Sequence, residues 1–241
     1  MGSKTQGDSP LSRYDYTIFT FIHYYQQIHH CIKLKPIRVL EIGPGDHTVT
    51  DFLRRHGIAV RTLDNDPRLH PDYVGDIRKE LPIDEKFDLV LASEVLEHTN
   101  IRYLETILEN IKRVMATDAY LVVSIPYTTI RLFPGRSKYG RIISCEGRIY
   151  THIPYFFLQW VRPFIRGIYR IVMKRQVRGA FEIGIPEFPD DRYDVHHWDL
   201  GFWPTTRGRV RNILKKRFTI VEEKAYVDTN CVFFVMKRGR P

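Results

Sequence analysis

Short apolar runs and amphipathic segments alternate along the first half of the chain. Apolar runs bounded by turns predict strands, and apolar residues at spacings of three and four predict helices. The predicted strands lie at 38–42, 58–63, 73–74, 87–92 and 120–125. Predicted helices cover 48–56 and 101–114. Because strands that alternate with helices form parallel sheets, the pattern predicts an α/β fold built on a parallel sheet.

A long amphipathic helix is predicted before the first strand, after a polar and disordered tail. Ser9 is suited to cap this helix, and Pro10 fits its first turn. Its apolar face is formed by Leu11, Tyr14, Ile18, Ile22, Tyr25 and Ile28. We expect its histidines to be ordinary surface or packing residues; they are His23, His29 and His30. Residues 1–36 are therefore assigned to the tail and this helix.

A glycine turn joins the first predicted strand to the next helix. Gly43 and Gly45 let the backbone pass close under a ligand, and the helix start presents unpaired N–H groups. The dinucleotide pattern G-x-G-x-x-G fails, because Thr48 stands where its third glycine belongs. Glu41 lies two residues before the first glycine, where a carboxylate suits a cationic ligand better than a pyrophosphate. The turn therefore predicts a nucleotide site with a positively charged ligand.

Polar side chains follow the other predicted strands at their carboxyl ends. Asp64 comes about 20 positions after the glycine turn, where an acidic residue is placed to accept both ribose hydroxyls. Asp76, the pair Ser93 and Glu94, and Tyr127 fall at further strand ends. Since parallel sheets bind ligands at this edge, the convergence is stronger evidence for a site than any single motif.

These segments together resemble the class I S-adenosylmethionine-dependent methyltransferases. The resemblance is carried by Val39–Gly45, Asp64, Gly75–Ile77 and Phe87–His98. It is greatest for the small-molecule-type subgroup with a Val-Leu-Glu-His run after the fourth strand, here Val95–His98. It covers residues 37–126 and continues at the C-terminus.

The resemblance implies a Rossmann-like, seven-stranded, mostly parallel sheet with an antiparallel last strand. A helix at 207–217 would precede the sixth strand, 218–222, and the antiparallel seventh, 231–237. The methyltransferase core would then comprise 37–126 plus 205–241, and 127–204 would be an insertion after strand 5 that carries substrate recognition or faces a membrane. One departure from the family pattern is His47, which stands at the usual third glycine.

The resemblance also implies a cofactor, S-adenosylmethionine, and residues that bind it. These are Glu41, Gly43, Gly45, Asp64, Asp76, Ile77, Ser93 and Glu94. Glu41 would face the methionine ammonium directly or through water, and Glu94 would approach the methionine moiety. Asp64 would hold the ribose, and Asp76 with Ile77 the adenine. A purely turn-forming role stays open for Asp76.

The two halves of the chain differ in charge. Residues 1–130 carry a net charge of −3 and residues 131–241 a net charge of +12. Within 153–174, basic residues recur every four positions and predict a basic amphipathic helix; they are Arg162, Arg166, Arg170 and Lys174. The regular arginines argue against a membrane-spanning helix. A membrane interface, a pocket for an anionic substrate and a solvated basic face all stay open.

A loop rich in acids and histidines, 190–201, follows this helix. Such a cluster is costly to bury without a purpose, so we predict that His196 and Trp198 line the substrate pocket together with Tyr127, with His197 as a further candidate. Structural hydrogen bonding is an open alternative for the loop.

His98 and His197 are the predicted catalytic residues, because a hydroxyl or amine acceptor needs a base to take its proton. Helix capping or packing is an open alternative for His98. No metal is expected, because adjacent histidines rarely chelate one ion together and the three cysteines lack ligand spacing. The odd cysteine number also favours a reducing compartment and a cytoplasmic location.

The sequence thus predicts a methyltransferase that acts on a small-molecule or lipid-like acceptor. The alternative is a membrane-surface or scaffold protein whose methyltransferase-like core lacks turnover. An NAD-dependent oxidoreductase is disfavoured by Thr48 and Glu41, and no RNA-binding motif suggests a nucleic-acid partner. Peripheral membrane contact would use 153–174; the oligomeric state and the acceptor atom are not predicted.

Overall fold

The structure is a computed structural model of the 241-residue chain. It describes residues 16–127, 129–131, 152–154, 189, 193, 196–201, 205–226 and 228–239. The predicted tail and most of the predicted basic helix lie outside the described residues. The helix Ile18–Leu34 is capped by Thr17, whose side chain accepts a hydrogen bond from the Thr20 N–H, and not by the predicted Ser9.

Thirteen helices and strands are described in this part of the chain. In chain order they are α1 (Ile18–Leu34), β1 (Arg38–Ile42), α2 (Thr48–Arg55), β2 (Ala59–Asp64), β3 (Tyr73–Val74), β4 (Phe87–Ser93), α3 (Leu104–Val114), β5 (Met115–Pro126), β6 (Thr129–Arg131), β7 (His152–Pro154), α4 (Arg207–Lys215), β8 (Phe218–Tyr226) and β9 (Cys231–Arg238). Short 3-10 turns lie at Pro67–Leu69, Leu96–His98 and Ile101–Tyr103.

Seven of the strands form one sheet in the order β3-β2-β1-β4-β5-β9-β8. The strands β1 to β5 are parallel, and β9 runs antiparallel to both of its neighbours, β5 and β8. The expected Rossmann-like α/β fold with an antiparallel last strand is therefore confirmed. The strand order changes direction beside β1, where open α/β sheets bind their ligands.

The sheet carries a hydrophobic layer on each face, because successive strand residues point to opposite sides. Val39 belongs to the layer that also contains Leu53 of α2, whereas Leu40 packs with Ile107 of α3 and Leu214 of α4. All five of these side chains are completely buried. Full burial of one such aliphatic side chain stabilises the fold by roughly 1.5–3 kcal/mol.

Several boundaries differ from those predicted. The segment predicted as a helix from residue 101 starts as a 3-10 turn, and α3 begins at Leu104. Strand β5 begins at Met115, directly after α3 and five residues before the predicted start, with Met115 itself buried. Strand β8 extends to Tyr226, beyond the predicted end at residue 222.

A second, two-stranded sheet pairs β6 with β7 in the predicted insertion. The sequence pattern did not predict it, and the segment 153–174 begins on strand β7 rather than on a helix. Within the described ranges, no helix is both long enough and apolar enough to cross a bilayer.

Candidate active site

Backbone hydrogen bonds gather the carboxyl ends of the parallel strands at one edge of the sheet. The Gly43 N–H donates to the Leu63 carbonyl over 2.9 Å, and the Gly75 N–H donates to the Asp64 carbonyl over 2.9 Å. On the other side of β1, the Glu94 N–H donates to the Ser124 carbonyl over 3.1 Å. The polar residues predicted at the strand ends are thus held along one edge.

The glycine turn after β1 leaves no room for a side chain at its first position. Gly43 has φ +71°, and a Cβ placed there would lie 2.6 Å from Cγ2 of Val95. Gly45 has φ +58°. His47, at the position of the family's usual third glycine, adopts φ +63°, and its Nε2 hydrogen-bonds the Leu69 carbonyl over 2.7 Å. An imidazole anchored to the neighbouring loop therefore holds the left-handed turn that a glycine would otherwise supply.

Glu41 lies beneath this turn, buried in β1. The Thr50 hydroxyl on α2 donates a hydrogen bond to its carboxylate. Burial raises the pKa of Glu41 to about 8, so the acid is protonated at neutral pH. A cation placed beside it would lower that pKa and favour the carboxylate.

Asp64 ends β2 and is half-buried, with its carboxylate accepting the Asp66 N–H over 2.8 Å. Burial is the main cause that raises its pKa above the ordinary value. The side chain thus stands at the strand end where the sequence predicted a ribose contact.

Asp76 is engaged by a cation within the protein. Arg78 contacts both of its carboxylate oxygens, with Nη2 2.8 Å from Oδ2 and Nε 3.0 Å from Oδ1. Burial acts to raise the pKa of Asp76, but the hydrogen bonds and charge of Arg78 outweigh it, and the pKa lies below its usual range. The guanidinium lies between the rings of Tyr103 and Tyr193, 5.4 Å and 4.9 Å from their centroids. Neither Arg78 nor Tyr193 was among the residues predicted from the sequence.

Ile77, the other predicted adenine residue, is buried. Its carbonyl accepts a hydrogen bond from the Asn110 side-chain amide over 3.0 Å. This bond joins the segment after β3 to helix α3 and fixes the backbone beside Asp76.

A chain of polar side chains runs from α1 to Glu94. His23 Nε2 lies 3.0 Å from Ser93 Oγ, which lies 2.6 Å from Ser124 Oγ. Ser124 in turn donates to Glu94 Oε1 over 3.0 Å. Because Ser124 donates to Glu94, it accepts from Ser93, and Ser93 accepts from an Nε2–H of His23. Burial raises the pKa of Glu94 to about 7 and lowers that of His23 to about 4.

His23 was expected to be an ordinary histidine, and its place in this network was missed. No sequence pattern marks this role of His23, because it depends on the packing of α1 over the strand ends. Asp46 in the glycine turn accepts hydrogen bonds from Tyr16 over 2.8 Å and from Tyr24 over 3.0 Å. Tyr24 lies on α1 and Tyr16 just before it, so these two bonds join the first half of the helix to the turn.

The predicted acceptor residues separate into two groups. His98 and His196 meet edge to face, with ring centroids 4.8 Å apart, and His196 Nδ1 lies 2.9 Å from Asp199 Oδ1. The hydrogen bond to Asp199 is the main cause that raises the pKa of His196. His197 is buried, and its backbone N–H donates to the Glu97 carbonyl over 2.7 Å. Of the two adjacent histidines, it is therefore His196 whose ring lies beside His98.

Trp198, a predicted substrate-pocket residue, belongs to the hydrophobic core cluster, and its pocket role stays a prediction. Its side chain is fully buried, and its indole N–H donates to the Thr99 carbonyl over 2.9 Å. Tyr127 is half-buried and pairs with Leu200 at the end of β5. Both residues fasten the described end of the insertion to the core.

Residues 12–161 match a protein family described as a methyltransferase domain. The match spans well over half of the chain. The chain belongs to this methyltransferase family. The predicted family is thereby confirmed, and S-adenosylmethionine is the cofactor of the class I methyltransferases.

Solved methyltransferase structures share the fold of this methyltransferase at low sequence identity. One is the N-methyltransferase NodS from Bradyrhizobium japonicum WM9 in complex with S-adenosyl-L-homocysteine, with a TM-score of 0.55 and 15% identity over 97% of this chain and 94% of that one. Another is 1,6-didemethyltoxoflavin-N1-methyltransferase from Burkholderia thailandensis, with a TM-score of 0.52 and 14% identity over 93% of this chain and 80% of that one. No curated protein sequence matches the chain significantly.

The residues at the strand ends of this methyltransferase fit the cofactor of the class. The turn at Gly43 admits no side chain, as expected where a ligand passes close to the backbone. Glu41, at β1, supplies a buried carboxyl group. Asp64 at the end of β2 and Glu94 after β4 supply two more, one on each side of β1. Carboxyl groups in this arrangement suit a ligand with hydroxyls and a positive charge.

Proposed function

We propose that this methyltransferase transfers a methyl group from S-adenosylmethionine to a small-molecule or lipid-like acceptor. The observation that carries the proposal is the convergence of Glu41, Asp64 and Glu94 around the Gly43 turn, at the carboxyl edge of a class I methyltransferase sheet. An apolar or purely basic edge would not support it.

The proposed cofactor contacts follow the position of each carboxyl group. Asp64 would accept the ribose hydroxyls, and Asp76, oriented by Arg78, would lie beside the adenine with Ile77. Glu41 and Glu94 would face the methionine end, with Gly43, Gly45 and Ser93 admitting it. Each of these two glutamates has its pKa raised by burial, so a cation beside either one would be bound together with the loss of a proton.

When bound, S-adenosylmethionine would supply a methyl carbon on a positively charged sulfur; the acceptor nucleophile would attack that carbon in line, and S-adenosylhomocysteine would leave with the electron pair of the broken bond. The protein therefore has to orient the acceptor and keep water out. Helix α1 is joined to the glycine turn through Asp46. His98 and His196, whose rings meet edge to face, would lie on the acceptor side, with the charge of His196 acting on Glu94. A base role for His98, and for the buried His197, stays a prediction.

Calorimetry with S-adenosylmethionine tests the proposal. Asp64→Asn should weaken binding at least about tenfold, which is about 1.4 kcal/mol, because an amide cannot accept two hydroxyls as a carboxylate does. The matched control is Asp118→Asn, since Asp118 is an exposed residue that pairs with Lys237 at the far end of β5. Equal affinities of the two variants would contradict the assigned cofactor site.

A turnover assay tests the enzyme itself. Formation of S-adenosylhomocysteine with a panel of small-molecule and lipid-like acceptors is the expected result. Tight cofactor binding with no turnover on any acceptor class would favour the alternative, a surface-associated protein with a silent core.

The cytoplasmic location and the membrane contact through 153–174 stay predictions. Liposome sedimentation would test the contact with a variant in which Arg162, Arg166 and Arg170 are all replaced by alanine. Loss of sedimentation in that variant alone would support lipid contact, and equal behaviour would contradict it.

A further inference from the structure

We propose that Glu97, His98 and His196 form a binding site for a divalent transition-metal ion. Each of the three side chains offers a ligand atom, and these atoms lie within 4.8 Å of one another. Two imidazoles and one carboxylate are a donor set that suits zinc and ferrous iron.

Glu97 is the first observation that points to a ligand. Its side chain is 0% exposed, and among the described residues neither carboxyl oxygen has a hydrogen-bond partner. Buried polar groups in proteins are almost always hydrogen-bonded, because an unpaired one loses its hydration without compensation. A metal ion at this position would satisfy the carboxylate.

His196 is the second observation. Its Nδ1 lies 2.9 Å from the Asp199 carboxylate, which fixes the tautomer with the proton on Nδ1. The lone pair of Nε2 is then available to a metal ion. Such a carboxylate–imidazole pair is how proteins orient most histidine ligands.

The backbone holds the two halves of the site in place. The Leu96–His98 turn supplies Glu97 and His98, and His196 comes from a segment about a hundred residues later. Two hydrogen bonds join these segments, from the His197 N–H to the Glu97 carbonyl at 2.7 Å and from the Trp198 indole to the Thr99 carbonyl at 2.9 Å. The ligand set is therefore positioned by buried contacts rather than by surface loops alone.

The same contacts answer the argument that adjacent histidines do not chelate one ion together. The structure separates the pair, because His197 is turned into the protein while the His196 ring meets His98 edge to face at 4.8 Å. Only one histidine of the pair is used. With metal–nitrogen and metal–oxygen distances of about 2.1 Å, the ligand atoms must lie about 3–4 Å from one another. Side-chain rotations that move these atoms by about 1 Å would bring them to that separation.

Three protein ligands leave a coordination position open. Glu94 lies close enough for its charge to act on both Glu97 and His196, so the metal site would lie near the methionine side of the proposed cofactor site. An acceptor oxygen or nitrogen bound there would lose its proton more readily. That consequence rests on the proposed function, whereas metal binding itself does not. A metal role and a base role for His98 are alternatives, and a metal titration distinguishes them.

The test is a titration of the metal-stripped, full-length protein with Co²⁺, followed by visible absorption, and with Zn²⁺ by calorimetry. We expect one equivalent per chain. Glu97→Gln and His196→Ala should each lose at least about a hundredfold in affinity, and Asp199→Asn, which replaces the carboxylate beside His196 Nδ1, about 10–100-fold. His29→Ala is the matched control, because His29 is an exposed histidine on α1.

Two results would overturn the inference: no stoichiometric binding by the wild type, or unchanged binding by His196→Ala. His196 is exposed, so its variant is expected to fold even if Glu97→Gln does not. Calorimetry with S-adenosylmethionine on the same samples separates the two proposals. Cofactor binding without metal binding would remove only the metal site, and metal binding without cofactor binding would remove only the proposed function.

Discussion

The two sides of the candidate site are built differently. The proposed cofactor side uses the ends of β1, β2, β3 and β4, which follow one another within about sixty residues of the chain. The acceptor side joins the Leu96–His98 turn to residues 196–199, which lie about a hundred residues apart. Local sequence therefore encodes the first side, and tertiary packing creates the second.

The electrostatics of the two sides differ in the same way. On the cofactor side, Asp64 and Glu41 are carboxyl groups whose pKa values burial raises, with no arginine or lysine bonded to either in the described residues. On the acceptor side, the Asp199 carboxylate hydrogen-bonds the imidazole of His196 and orients it. This difference fits the two proposals, a cationic cofactor on the first side and a metal ion held by nitrogen lone pairs on the second.

Trp198→Ala is expected to have the largest effect. Removing this fully buried indole and its bond to Thr99 should lower the free energy of unfolding by about 3–5 kcal/mol, measured by urea denaturation. Tyr25→Ala, at an aromatic residue that is 65% exposed, should change it by less than about 0.5 kcal/mol. A Trp198 variant with normal stability and a raised KM for the acceptor would contradict the core role and support the predicted substrate-pocket role.

Gly43→Ala, on the cofactor side, should lower the free energy of unfolding somewhat less than Trp198→Ala does. The left-handed φ and the 2.6 Å approach to Val95 together predict a loss of about 2–4 kcal/mol in unfolding free energy and loss of S-adenosylmethionine binding. The control is Gly208→Ala on α4, where an added Cβ meets nothing within 4 Å. That variant should be as stable as the wild type or slightly more so, and equal behaviour of the two would contradict the assigned turn.

The smallest predicted effect is a pH dependence of S-adenosylmethionine binding that arises from Glu41. Its free pKa is about 8, and a cationic ligand lowers it, so binding releases a proton and affinity should rise with pH until about 8. The slope can reach about tenfold per pH unit. Calorimetry in two buffers of different ionisation enthalpy measures the released proton. Glu41→Gln should remove that release, and an unchanged proton count would assign it to another group.

The sequence was sufficient for the elements that local pattern controls. The apolar runs and the glycine turn predicted β1, α2, β2, β3 and β4 to within a residue at each end. The early start of β5 could not be predicted, because burial of Met115 depends on the neighbouring β4.

Site residues whose partners lie far away in the sequence could not be predicted from the hydrophobic pattern. His23 reaches Ser93 only because α1 packs over the sheet. The role of Arg78 could not be predicted, because its partners, Tyr103 and Tyr193, lie far along the chain. Glu97 looked like part of a family motif. Its unpartnered burial became visible only in three dimensions.

The most direct test of the central claim is a crystal structure of the full-length protein with S-adenosylhomocysteine. We predict that its ribose lies within hydrogen-bonding distance of Asp64 and that its amino-acid end passes the Gly43 turn toward Glu41 and Glu94. A ligand bound at any other edge of the sheet would contradict the account.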